Sequence, residues 1–304
     1  MTKPTQAPPP GIYENVPPEN YHAWDYVSNS RLNLMARSPS HYLAGFQSEP
    51  TPAMTLGTLV HNGILEPLAL AKRYVFMPDY SRDEENTTAS GERSFSKATK
   101  YVRGKEEAFR AVNRGKEIIE ESDYNRMLGT ATALSNCEMM RGLMSAGKPE
   151  ISIVFDDAET GLRCKARCDW LHVGKGGSVL LDLKTTADAS EFERSILKYG
   201  YHRQMAFYRR AVELATGERP AVWIACVETS APYGHRVAPM APEALACGET
   251  ELDELLKRVA LCQASDQWPG YANPETWRLP EWYRRSQPIE LNIGGEVIEV
   301  GGPS

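Results

Sequence analysis

The chain has 304 residues, of which 41% are hydrophobic and 24% charged, with a formal net charge of −6. This is the composition of an ordinary soluble protein, long enough for one large domain with a sizeable core or for two modest ones. The acidic balance argues against a protein that coats nucleic acid nonspecifically, but not against an enzyme acting on it, because local patches decide phosphate binding.

No apolar run approaches the roughly 20 residues needed to cross a bilayer. Met1–Pro10 lacks the basic and then apolar segments of a secretory signal. A cytoplasmic protein with no membrane association is expected. The cysteines Cys137, Cys164, Cys168, Cys226, Cys247 and Cys262 then read as thiols. Cys164 and Cys168 stand four apart, but no second pair lies nearby to complete a tetrahedral zinc site.

In chain order, residues 1–27 read as a flexible proline-rich leader. Ser28 or Ser30 is placed as the N-cap of a helix through Arg37, ended by Ser38-Pro39, and His41–Phe46 as a second short helix. Thr55–Leu65 has Leu56, Leu59, Val60 and Leu65 at helical spacing, with His61 inside the pattern. Asp79–Ser96 is polar and reads as an exposed loop. Lys97–Cys137 reads as helix in two or three pieces.

Beyond Gly147 the period changes from helical to alternating. Glu150–Phe155, Leu162–Val173 and Ser178–Leu183 are predicted as three consecutive strands, with turns at Asp156-Asp157 and Gly174–Gly177. A helix is predicted over 189–215, a central strand over Ala221–Glu228 and a further helix over Glu249–Ser265. The expected fold is mixed α/β, a central mixed sheet flanked by helices behind an N-terminal helical region. It forms one domain over 28–265, with a helical part 28–148, a core 149–230, and a tail 266–304.

Two stretches concentrate positive charge. Glu92–Lys116 holds eight Lys and Arg residues against three Glu. The second comprises Arg194, Lys198, His202, Arg203, Arg209 and Arg210. Each is either a phosphate-binding patch or a solvated helix face.

Asp169 and Asp182 fall on the second and third predicted strands, which a hairpin through Gly174–Gly177 brings together. Asp182 and Lys184 are two apart and share a strand face. Leu183 points the other way, leaving its backbone carbonyl as a possible ligand. Two carboxylates and a carbonyl suit magnesium, a hard ion that keeps several waters. A cross-strand Asp–Lys salt bridge is the competing reading.

Gly161-Leu-Arg-Cys-Lys-Ala-Arg-Cys-Asp169 and Leu181-Asp-Leu-Lys-Thr-Thr186 resemble the PD-(D/E)xK nuclease superfamily, especially its RecE-type and RecB-type exonucleases. Gln204-Met-Ala-Phe-Tyr208 resembles the Q-x-x-x-Y helix motif of those enzymes. Gly57-Thr-Leu-Val-His61, followed by Leu65-Glu-Pro67, is similar to the segment carrying their upstream histidine, and Ser28–Ala44 to their opening helices.

The resemblance implies a restriction-endonuclease-like core and a Mg2+-dependent exonuclease acting on double-stranded DNA with free ends, of phage or prophage type in a bacterial cytoplasm. It implies metal ligation by Asp169, Asp182, the Leu183 carbonyl, Glu150 and His61, with Mn2+ as a substitute that suits the imidazole better. Glu138 and Asp156 compete with Glu150 for the third acidic position. Lys184 would position the attacking water, and Gln204, Tyr208, Thr185 and Arg203 would hold the DNA backbone. A ring-shaped homo-oligomer and a single-strand annealing partner are implied by the family alone. The tail lacks the cysteine triad of relatives that hold an iron–sulfur cluster, so none is expected.

Overall fold

The computed structural model describes residues 7–45, 51–174, 176–273 and 276–278, and the backbone of 289–293 and 296–300. Chain order runs β1 (Gly11–Tyr13), α1 (Pro18–Ala23), α2 (Asn29–Arg37), α3 (Pro39–Ala44), α4 (Pro52–Leu65), α5 (Pro67–Arg73) and β2 (Tyr74–Phe76). After a 3-10 turn at Tyr80–Arg82 come α6 (Lys100–Val112), β3 (Glu117–Ile119), α7 (Glu121–Asn136) and α8 (Glu138–Leu143). Then follow β4 (Lys148–Asp156), β5 (Arg163–His172), β6 (Val179–Thr186), α9 (Phe192–Tyr199) and α10 (Tyr201–Thr216). The order ends with β7 (Ala221–Glu228), β8 (His235–Pro239), α11 (Pro242–Ser265), β9 (Ile289–Ile293) and β10 (Glu296–Val300).

Six strands form the main sheet in the order β1-β4-β5-β6-β7-β8. All neighbours are antiparallel except β6 and β7, which are parallel and joined through α9 and α10. A tight turn cannot join parallel strands, so the helical crossover is the expected solution. Strand alternation sorts the apolar residues onto two faces. Leu180 faces one core with Leu32, Met35, Ile153, Phe207 and Leu252, and Leu181 and Leu183 face the other with Leu56, Leu59, Val60, Met127 and Leu134. Helices α2, α10 and α11 therefore cover one side of the sheet, and α4 and α7 the other. This is the mixed α/β sandwich expected from the sequence.

Several elements differ from the sequence reading. The predicted helix over 189–215 is two helices, because Gly200 adopts the left-handed conformation at φ 67 between α9 and α10; a residue without Cβ takes it at no steric cost. The leader is not wholly flexible. β1 pairs with β4, and Tyr21 and Trp24 pack on Val154. The reason lies on β5: the buried Lys165 ammonium donates to the carbonyls of Tyr21 (2.8 Å) and Trp24, and Arg167 donates to that of Val16. Buried cations need acceptors, and the leader supplies them. The 79–96 stretch is likewise organised, around a fully buried Asn86. Its amide donates to the Ser81 and Ser94 carbonyls at 3.0 and 2.7 Å, and its oxygen accepts from Thr99 at 2.6 Å.

Residues Pro269–Ser304 form a separate unit in which β9 and β10 pair antiparallel. No helix of the described residues is long and apolar enough to cross a membrane.

Candidate active site

The register of three adjacent strands sets a row of carboxylates. On β4 and β5, Pro149 pairs with Trp170 and Ile151 with Cys168, so Glu150 stands opposite Asp169. On β5 and β6 the last pair is Trp170 with Leu181, and one step further stand Asp169 and Asp182.

Beyond that pair the two strands part. The Leu183 N–H, which has no β5 carbonyl to reach, donates instead to Asp169 Oδ2 at 2.8 Å. Alternation slips at the same place: Cys168 and Leu171, three apart, share one core while Trp170 packs on the other. Glu150 sits at φ +53, a conformation costly for a side chain of its size and one that interrupts the ladder at this row.

The row opens onto a cleft of about 990 Å3 whose walls include His61, Glu66, Arg73, Glu150, Arg167 and Lys184. His61 comes from α4, with Nδ1 3.5 Å from Asp169 Oδ2 and a hydrogen bond to the Leu183 backbone. Lys184 Nζ lies 2.6 Å from Asp182 Oδ2 and 4.8 Å from the centroid of the Tyr201 ring. Arg167 Nε is 3.3 Å from Glu150 Oε2.

Electrostatics at the row are unfavourable for carboxylates on their own. Burial pushes Glu150 up to about 7, with the neighbouring Asp169 charge adding to it. Burial also raises Asp169, and lifts Asp182 to about 6 against the pull of Lys184. Burial lowers His61 to about 4, helped by Lys184, and keeps the imidazole neutral. Burial acts to lower Lys184 as well, but Asp182 and Asp169 outweigh it and hold the ammonium above its ordinary value. Lys184 is thus held as a positive charge and donor beside Asp182.

Asp182 is the telling group. It is fully buried; the Lys184 ammonium answers Oδ2 at 2.6 Å, and Oδ1 has no partner. A buried carboxylate in that condition is costly unless a cation completes its surroundings. Oxygen donors from Asp182, Asp169, Glu150 and the Leu183 carbonyl fit a hard divalent cation, and His61 a somewhat softer one. The approach is pairwise: these side chains do not form one group with all ligand atoms within 4.8 Å of each other.

The remaining expected residues are placed differently. Gln204 Nε2 donates to the Tyr208 hydroxyl at 3.1 Å, and the Tyr208 ring lies within electrostatic reach of Asp182 and Asp169. Thr185 lies against α4, where a Cβ on Gly57 would come 3.2 Å from its hydroxyl. Arg203 is committed elsewhere, to Glu251 at 2.7 Å and Asn33 at 2.7 Å. Of the competing acidic residues, Asp156 pairs with Arg163 at 2.7 Å and Glu138 is exposed at the start of α8; neither lines the cleft.

Sequence reasoning missed Arg167, Glu66, Arg73 and Tyr201. Tyr201 was within reach, since it stands three and seven residues before Gln204 and Tyr208 and so shares their helix face. Glu66 and Arg73, paired at 2.8 Å, gave no periodic signal because their chemistry arises from the bend between α4 and α5.

Comparisons with known proteins agree with this architecture. A solved structure of a candidate exonuclease from Eubacterium rectale superimposes with a TM-score of 0.51 at 16% identity, covering 93% of this chain and 97% of that one. LHK-Exo, solved in complex with dAMP, is a more remote likeness at TM-score 0.28 and 15% identity, covering 79% of this chain and 93% of that one. No curated protein sequence matches. Residues 28–276 match the model of a PDDEXK-like domain of unknown function, and the chain belongs to that family.

Proposed function

We propose that the chain is a metal-dependent nuclease that hydrolyses phosphodiester bonds from the ends of double-stranded DNA. The observation that carries this reading is the fully buried Asp182 carboxylate, with Oδ1 unpartnered and Oδ2 beside Lys184, in register with Asp169 and Glu150, while Glu150 and Lys184 line an open cleft. A protein that only bound DNA would gain nothing from clustered carboxylates facing phosphate.

Asp169, Asp182, the Leu183 carbonyl and Glu150 would hold the ion, Mg2+ in preference, with His61 favouring Mn2+ as a substitute. An ion held by these residues would make hydroxide accessible near neutral pH and would stabilise charge developing on phosphate. Lys184 orients the attacking water and stabilises negative charge on the phosphate, as its protonated state suits. Asp169 is fixed by the Leu183 N–H, so its free oxygen keeps its direction. Gln204 and Tyr208 meet the DNA backbone close to the reacting bond, and Arg167 and Arg73 supply positive charge on the cleft wall. The setting of phage-type recombination, an annealing partner and a ring assembly belong to the same proposal and rest on the RecE resemblance.

The test is cleavage of end-labelled linear duplex alongside closed circular DNA, with Mg2+, with Ca2+ and with EDTA. The expected result is loss of linear DNA alone, dependent on Mg2+, and reduced at least about 1000-fold in Lys184→Ala. Cleavage of closed circles would make the enzyme an endonuclease. Bound ends with no cleavage under any metal would make it a DNA-end-binding protein.

A further inference from the structure

Away from the cleft, the contact between α10 and α11 gathers a second set of donors. His202, Cys247 and Glu251 each offer a ligand atom, and these atoms all lie within 4.8 Å of one another. Helix geometry brings them there. Cys247 and Glu251 are four apart on α11 and share a face. Gly248 between them lets α10 approach: a Cβ there would stand 2.5 Å from the His202 carbonyl oxygen and 3.0 Å from the Arg203 nitrogen.

The His202 ring is buried, with Nε2 3.1 Å from Glu251 Oε1 and Nδ1 3.4 Å from the Ile196 carbonyl oxygen. Both ring nitrogens face acceptors, yet a neutral imidazole carries only one N–H. Nε2 and Glu251 Oε1, 3.1 Å apart, are spaced as two ligands of one tetrahedral ion would be, and the Ile196 carbonyl can take the Nδ1–H when Nε2 serves as a ligand. Glu251 divides its oxygens accordingly. Oε2 accepts from Arg203 at 2.7 Å, while Oε1 faces His202 and lies 3.8 Å from Cys247 Sγ.

We propose that His202, Cys247 and Glu251 form a zinc-type metal site that staples α10 to α11. Imidazole, thiolate and carboxylate are a borderline donor set that selects zinc over magnesium, and three protein ligands leave a fourth position for water or a small anion. On binding, the metal–sulfur bond forms as the Cys247 thiol proton leaves to solvent, with no change of oxidation state. The Ile196 carbonyl fixes the ring tautomer, as outer-shell acceptors commonly do. An apolar cavity of about 460 Å3, whose lining includes His202 and Cys247, adjoins the site and gives solutes access to it. Since α10 also carries Gln204 and Tyr208, an occupied staple braces the helix beneath the carboxylate row. The site itself does not depend on the nuclease reading.

The experiment is a Co2+ titration of the full chain, reduced and freed of metal, followed by absorption. The expected result is a saturable thiolate-to-cobalt charge-transfer band that is displaced by Zn2+. Cys247→Ser, at an exposed position that should fold normally by circular dichroism, loses the band. Glu251→Gln weakens Zn2+ binding about tenfold or more. Asp182→Asn, which alters only the cleft, keeps the band. A parent without the band, or a band that survives Cys247→Ser, overturns the proposal and leaves a His202–Glu251–Arg203 ion-pair network. A parent that shows the band but cleaves no DNA keeps this site and sinks the nuclease reading alone.

Discussion

The two basic stretches look alike in sequence and behave oppositely in the fold. Along α6, Lys100, Arg103 and Arg110 are exposed, and among the described residues none of them makes an ion pair within 4.0 Å. Along α10 the arginines are answered by α11, Arg203 by Glu251, Arg209 by Glu249 and Arg210 by Asp253, and Arg210 also by the buried Asp157 just after β4. The first stretch keeps its field in solvent, where a phosphate can feel it. The α10 part of the second is a clamp between helices. Positive charge in a sequence says little about nucleic acid until its counter-charges are located.

Arg210→Ala should have the largest effect. It leaves Asp157, 4% exposed, with a charge and no cation, at a cost of about 2–3 kcal/mol and a fall of roughly 5 °C in melting temperature. The partial exposure of Arg210 keeps the figure below that for a fully buried pair. An unchanged melting curve would show that the clamp carries no stability.

Next is the triple variant Lys100→Gln, Arg103→Gln, Arg110→Gln. Duplex affinity should fall roughly tenfold to a hundredfold, and the logarithmic salt dependence should become shallower by about 0.9 per charge removed, with melting unchanged. If stability falls and the salt slope does not move, the two stretches are not different in kind.

Smallest is Arg194→Ala, in the second stretch but paired with Glu191 at the surface, where the side chains are 85% and 52% exposed. Stability should stay within about 0.5 kcal/mol of the parent. A larger loss, measured by denaturant titration, would extend the clamp to α9.

What could be read from the chain beforehand follows the same division between local and distant causes. Asp169, Asp182 and Lys184 were legible because strand alternation and a glycine-rich turn fix which side chains meet. The three strands of the meander and α4 carry clear periods, and Ser28 does cap α2, accepting from the Arg31 N–H. The short strands β2, β3 and β8 were not legible: three to five residues hold too little pattern, and β2 and β3 pair with each other across more than one intervening element. The positive φ of Glu150 leaves no trace in composition, since glycine is the residue that normally announces it. The inward turn of Arg203 depends on Glu251, 48 residues away, which no local window contains.

One consequence of the parting of β5 and β6 concerns how such a protein would decay. Asp169 stands in for a strand carbonyl by accepting the Leu183 N–H, so the sheet itself needs it. Lys184 serves no backbone group; its ties are to Asp182 and to the Tyr201 ring. A chain in which that pair had no use could exchange Lys184 and Asp182 together for apolar packing, while Asp169 persisted as part of the scaffold. A surviving aspartate at that fork is therefore evidence of the fold, whereas the lysine has no such duty to the sheet.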